Sequence, residues 1–108
     1  MSHKTHDAVG LEIARQIAAG LAVHPEWIEI ARSNLDRWSK LNTDAPGLLR
    51  CYEEWRELLG RPTAEIARIF LAETDDGQRL RQNSPFAGVL TPAEVNQIKR
   101  RVHETNAA

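Results

Sequence analysis

The chain has 108 residues, 42% hydrophobic and 27% charged, and its 14 Lys and Arg against 15 Asp and Glu give a formal net charge of -1. That length suits a single domain, 1–108, with a modest core, and the charge balance removes bulk basicity as an argument for nucleic acid or a membrane surface. A lone cysteine, Cys51, excludes an intramolecular disulfide, and with no secretion signal or long apolar run the expectation is a cytoplasmic protein without a membrane span.

Residues 1–7 are polar and carry His3 and His6, the composition of a disordered start. From Ala8 to Leu21 the apolar positions Leu11, Ala14, Ile17, Ala18 and Leu21 recur at three- and four-residue steps, which predicts an amphipathic helix over 8–22. Pro25, a good first-turn residue, opens a second helix running to about Leu41, with Trp27, Ile28, Ala31, Leu35 and Trp38 as its inner stripe. After a turn-rich linker over 42–47, Leu48, Leu49, Tyr52, Trp55, Leu58 and Leu59 set out a third helix, closed by Gly60 and Pro62. Thr63 and Ile66 open a fourth, expected to be the most buried. Thr74 caps a short fifth helix with Asp75 and Asp76 in its first turn. Thr91, Pro92 and Glu94 carry a capping-box signature for the last helix, whose stripe is Val95, Ile98 and Val102.

No strand-like alternation occurs in the sequence, so the fold expected is all-α: a compact bundle of five or six helices with one long apolar loop over 84–91. The three tryptophans and Tyr52 are expected to supply most of its core area.

Catalytic patterns are absent: there is no phosphate-binding glycine loop, no nucleophile elbow and no dinucleotide fingerprint. Glu53 and Glu57 share a helix face and could place carboxylates together, but Arg50 and Arg56 stand at pairing distance in sequence and no Glu-x-x-His motif joins them. His3 and His6 lack further ligands nearby, and His24 and His103 suit helix ends. Neither a metal nor a cofactor is expected, and Cys51 reads as a half-buried inert thiol. The residues around Thr63–Phe70 look like the first helix of a helix-turn-helix, but Asp75 and Asp76 would face phosphates at the groove-entering end.

The charge is unevenly spread. Residues 1–76 hold nine Lys and Arg against thirteen Asp and Glu, and residues 77–108 hold five against two. This basic tail makes nucleic-acid binding by Arg79, Arg81, Lys99, Arg100 and Arg101 the second functional reading. An enzyme or metal protein built on the third-helix glutamates is the third. The first is a non-enzymatic protein–protein interaction module. Phe86, Val89 and Leu90 carry apolar area between two prolines, so the loop either completes the core under the fourth helix or, with Arg79, Arg81, Gln82 and Phe86, forms a patch for another protein. The small-residue face of Ala14, Ala18 and Ala22 adds an expected homo-oligomer contact through 8–22.

The run Gly77, Gln78, Arg79, Leu80, Arg81, Gln82, then Ser84, Pro85, Phe86, Ala87, Gly88, Val89, Leu90, then Pro92 and Glu94, with Ile30, Ala31, Asn34, Leu35 and Trp38, resembles a small uncharacterised all-helical bacterial family. The resemblance covers about three quarters of the chain and leaves out the first helix. It implies an association with nucleotidyltransferase-type toxin systems, hence an accessory or antitoxin-like role, and implies no catalytic residues.

Overall fold

The computed structural model describes residues 2–107, with side chains described for 7–105. Six helices follow in chain order: α1 Ser2–Leu21, α2 Trp27–Leu41, α3 Pro46–Leu59, α4 Thr63–Phe70, α5 Asp75–Gln82 and α6 Pro92–Ala107. No strand occurs among the described residues, and none of their helices is long and apolar enough to cross a membrane.

The helix ends follow local chemistry. Thr74 accepts from the Gly77 amide at 3.1 Å and starts α5. At α6 the capping box closes both ways: the Thr91 amide donates to Glu94 Oε1 at 2.9 Å, and the Glu94 amide donates to Thr91 Oγ1 at 3.1 Å. Pro25 lies just ahead of α2 rather than inside it. There, Trp27, Ile28 and Glu29 donate to carbonyls three residues back, a tight turn that leads into the α-helix. The α1 backbone is helical from Ser2, where a disordered start had been expected, and the His3 and His6 side chains lie outside the described residues.

α1 sits at the centre of the bundle. It packs against α6, α4 and α5, while α2 packs on α3 and α4 joins α3 to α5. Ala14, Ile17 and Leu21 are core residues, so the segment that lies outside the resemblance is integral to the fold.

The core differs from expectation in its aromatics. Trp55 is fully buried, but Trp27 and Trp38 are only partly buried. In their place Trp55, Phe70 and Phe86 form a three-ring cluster. Trp55 meets Phe70 edge-on at 5.3 Å between centroids and Phe86 at 5.9 Å, and the two phenylalanines lie 5.7 Å apart. The most heavily buried helix is also α3 rather than α4: Cys51, Tyr52, Trp55, Leu58 and Leu59 face inward, against Ile66 and Phe70 in α4. Eight residues make little more than two turns, so α4 can offer only a short inner stripe.

Phe86 thus answers the question posed by the loop. At 2% exposure it belongs to the core, as does Leu90. The polar backbone that accompanies it inward is held by Asn34, whose Nδ2 donates to the carbonyls of Pro85 at 2.8 Å and Ala87 at 3.0 Å. Arg37 in turn donates to Asn34 Oδ1 at 2.6 Å, which orients the amide. Gly88 turns the chain outward with φ of 91°, a conformation that disfavours side-chain-bearing residues.

Candidate interaction surface

Of the four residues expected to form one docking patch, Arg79, Arg81 and Gln82 share α5, while Phe86 is turned away into the core. Phe86 is internal. Arg81 lies across the end of α4, where its Nη1 donates to the carbonyls of Phe70 at 2.9 Å and Ala72 at 2.7 Å, satisfying groups that a helix C-terminus leaves open. Arg79 makes a two-pronged pair with Glu54, at 3.1 and 3.0 Å, and reaches Asp76 at 3.4 Å. Only Gln82 is exposed with no hydrogen bond to the rest of the described protein. Phe86 is thus internal and Arg81 is engaged by the end of α4, while Arg79 stays exposed on the surface with carboxylate partners that sequence spacing does not fully reveal.

Gln82 borders a groove of about 300 Å³ between the end of α2, the middle of α3 and the end of α5. Its lining is Trp38, Asn42, Tyr52, Gln82, Asn83 and Ser84. The groove has a local origin. Asn42 terminates α2, its backbone N–H and its side-chain Nδ2 both bonding the Trp38 carbonyl, at 2.9 and 3.0 Å. The same Nδ2 donates to the Tyr52 hydroxyl at 3.3 Å, which ties the turn to α3. The Trp38 and Tyr52 rings form one wall at 6.0 Å between centroids, tilted by 47°.

No lining side chain carries a charge at neutral pH, and much hydrogen-bonding capacity is unused. The Tyr52 hydroxyl accepts from Asn42, but among the described residues its proton has no acceptor, although Tyr52 is only 5% exposed. Asn42 Oδ1, Asn83 Oδ1 and both ends of the Gln82 amide likewise have no partner among them. Leu41, the last residue of α2 and the one before Asn42, is 73% exposed and is not among the residues that line the groove.

The outward position of Leu41 and Ile30 escaped the sequence reading. Eleven residues separate them, three helical turns, so they share a flank of α2 next to the inner stripe. A search for a second apolar stripe, offset from the first, would have found both. Val23, also 73% exposed, lies beyond the other end of that helix, near Trp27, whose indole stacks on His24 at 4.8 Å. That indole also lies against Gly20, where a Cβ would overlap the ring.

The remaining candidates resolve into structural pairs or solvated faces. Glu53 pairs with Arg56, and Glu57 pairs with Arg61 rather than with Arg50 or Arg56. Arg56 also crosses to α2, donating to Ser39 Oγ at 2.9 Å and to Asp36 at 3.3 Å. Among the described residues no group of three or more His, Cys, Asp or Glu is placed to hold a metal ion. Burial pushes the Cys51 thiol above its ordinary value, with the neighbouring Glu54 carboxylate acting in the same direction. Lys99, Arg100 and Arg101 are exposed on α6 and have no ion-pair partner among the described residues. Of the Ala14, Ala18 and Ala22 face, Ala14 is covered by the chain's own core and only Ala22 is fully outward, so a second copy would meet a narrower surface than the spacing implied.

No protein-family model matches the chain, and no curated protein or solved structure matches it significantly.

Proposed function

We propose that the protein is a non-enzymatic, cytosolic helical module that binds another protein, acting as an accessory or antitoxin-like subunit, and that the groove beside Leu41 is its contact. The observation that carries this reading is at the end of α2: an uncharged groove lined by Trp38, Asn42, Tyr52, Gln82, Asn83 and Ser84, and, one residue before Asn42, a leucine that the fold leaves 73% exposed. Aromatic side chains, a desolvated polar group and an apolar anchor are what a small number of dominant interface contacts require. The antitoxin-like role rests on the sequence resemblance alone.

The test is a pull-down of the tagged chain from its native extract, split into nuclease-treated and untreated halves, with Leu41→Asp, Gln82→Ala and Val23→Asp alongside. A protein partner that survives nuclease, is lost with Leu41→Asp, weakens with Gln82→Ala and is retained with Val23→Asp supports the reading. Capture indifferent to Leu41 and Gln82, or no capture, overturns it. Unchanged far-ultraviolet dichroism in the variants shows that the fold is intact.

The three cations of α6 favour a second reading, nucleic-acid binding, now through Lys99, Arg100 and Arg101 without Arg79 and Arg81. Its signature is an affinity that falls steeply with salt and is lost in the triple alanine variant. Salt-insensitive binding removes it.

A further inference from the structure

Three consecutive cations stand on α6 without a counter-charge. The side chains of Lys99, Arg100 and Arg101 are exposed and make no ion pair or hydrogen bond among the described residues, whereas Arg56, Arg61 and Arg79 each hold a carboxylate. Glu12, which lines a hollow with Arg101, is taken by Arg15, and Glu94 by its capping box. At about 100° per residue, Arg100 lies directly opposite the buried pair Ile98 and Val102, with Asn96 and Gln97 beside it on the outward crest, and Lys99 and Arg101 fall on the two flanks. α1 is the one helix that α6 packs against extensively. α6 is therefore a ridge on the bundle, with amides and an arginine along its crest and a cation down each side.

A ridge of this form suits a concave partner with negative charge along both rims. The major groove of B-form DNA is about 12 Å wide, against about 10–12 Å for a helix with its side chains, and phosphates line both its edges. Side chains of the Asn, Gln and Arg type pair with base edges in that groove by two hydrogen bonds at once. Other polyanions fit less well. The major groove of an RNA duplex is too deep and narrow for side chains to read. A single strand is held by stacking on aromatic rings, and α6 carries no Phe, Tyr or Trp. A membrane surface or an acidic peptide presents its charge to one side of a helix rather than to both.

We infer that α6 lies in the major groove of duplex DNA, with Lys99 and Arg101 on phosphates of opposite strands and Asn96, Gln97 and Arg100 over base edges. This rests on the second reading above, nucleic-acid binding, of which it names the form and the groove. Glu104, outward one turn beyond Arg100, would meet the negative charge of the duplex, so the contact runs from the start of α6 to Arg101.

The probe is a short, fluorescein-labelled DNA duplex of mixed sequence, titrated with the full chain and followed by anisotropy at stepped salt concentrations. The RNA duplex and the single DNA strand of the same sequence, and polyglutamate, serve as comparators. The result expected is duplex binding that weakens with salt, at least several-fold tighter than any comparator, displaced by methyl green in the major groove and not by netropsin in the minor groove. Lys99→Ala and Arg101→Ala should each reduce the slope of log affinity against log salt by about 0.9, the share of one phosphate contact. Arg100→Ala should weaken binding several-fold, and Arg50→Ala, an exposed cation on α3, should leave it unchanged, all with native far-ultraviolet dichroism. Equal affinity for a comparator, displacement by netropsin alone, or an unaltered salt slope in both flank variants overturns the inference. Salt-dependent binding of all three nucleic acids alike, lost in the triple alanine variant, sinks the inference and keeps the nucleic-acid reading. No binding to any of them at low salt sinks both.

Discussion

The side-chain amide of Asn34 donates to the carbonyl of Pro85 at 2.8 Å, across 51 positions of the chain. Asn34 is the one buried polar side chain of the described core, 5% exposed, and its second bond, to Ala87, brackets Phe86. The pair of bonds satisfies backbone carbonyls on both sides of the buried Phe86, where Pro85 is also buried and Ala87 has returned to the surface. Asn34→Ala strands two carbonyls and should cost about 1–3 kcal/mol, read from urea denaturation. Asn34→Asp should cost as much or more, since a carboxylate cannot donate and would face two carbonyl oxygens. Stability within a few tenths of the parent in both would show that the loop is held by its apolar contacts alone.

Phe86 supplies those contacts, against Trp55 and Phe70. Its replacement by alanine should cost about 3–5 kcal/mol, whereas Phe86→Leu, which keeps most of the volume, should cost much less. Because the Trp55 indole N–H donates to the Leu80 carbonyl at 3.1 Å, its emission should report the loss of the cluster. A Phe86→Ala variant as stable as the parent would place the ring on the surface and revive it as a direct partner contact.

Gly77 and Gly10 provide a matched contrast. A Cβ at Gly77 would collide with the Ala72 backbone, which cannot swing aside as a side chain can, while nothing stands within 4 Å of the same atom at Gly10. Gly77→Ala should destabilise by about 1–3 kcal/mol. Gly10→Ala, inside α1, should stabilise by up to ~1 kcal/mol, because alanine loses less backbone entropy. Equal effects at the two sites, measured by thermal melting, would contradict the packing around α5.

Cys51 is buried, and its raised pKa means that little thiolate exists near neutral pH. Its reaction with a disulfide reagent at pH 7–8 should be far slower in the folded protein than in urea, with the difference vanishing on unfolding. A fast folded-state reaction would show that α3 opens locally.

Glu94 is held below the ordinary glutamate range by hydrogen bonds from Thr91, first the backbone N–H and then the hydroxyl, with Gln16 contributing from α1. A carboxylate whose pKa is lower folded than unfolded adds stability above its unfolded value, and that stability disappears as pH falls through the folded one. Acid should therefore weaken the start of α6 below the usual glutamate pKa. Glu94→Gln, which can still accept but does not titrate, should flatten this part of the pH–stability curve; an unchanged acid limb would refute the role. Thr91→Ala removes the other half of the box and should cost about 0.5–2 kcal/mol.

How legible all this was depended on distance along the chain. Thr74, Thr91, Glu94, Gly60 and Pro62 mark helix boundaries correctly because a cap acts within three or four residues, on backbone groups whose positions are already known. Helix number and the main apolar stripes were legible for the same reason, since a 3.6-residue period is a property of neighbours. The partial burial of Trp27 and Trp38 was not, because that stripe does not say how much of each large ring its neighbours cover.

The sequence by itself determined an all-helical chain, its breaks and most of its inward positions, all consequences of short-range geometry. Only the tertiary structure decided what Arg79, Arg81, Phe86 and Asn34 do. Their partners are Glu54, the end of α4, the Trp55–Phe70 cluster and the 85–87 backbone, contributed by other elements and selected by how the helices cross. The groove beside Leu41 is likewise an outcome of packing. Its lining is drawn from α2, α3, and the end of α5 with the residues after it, and no single segment carries it.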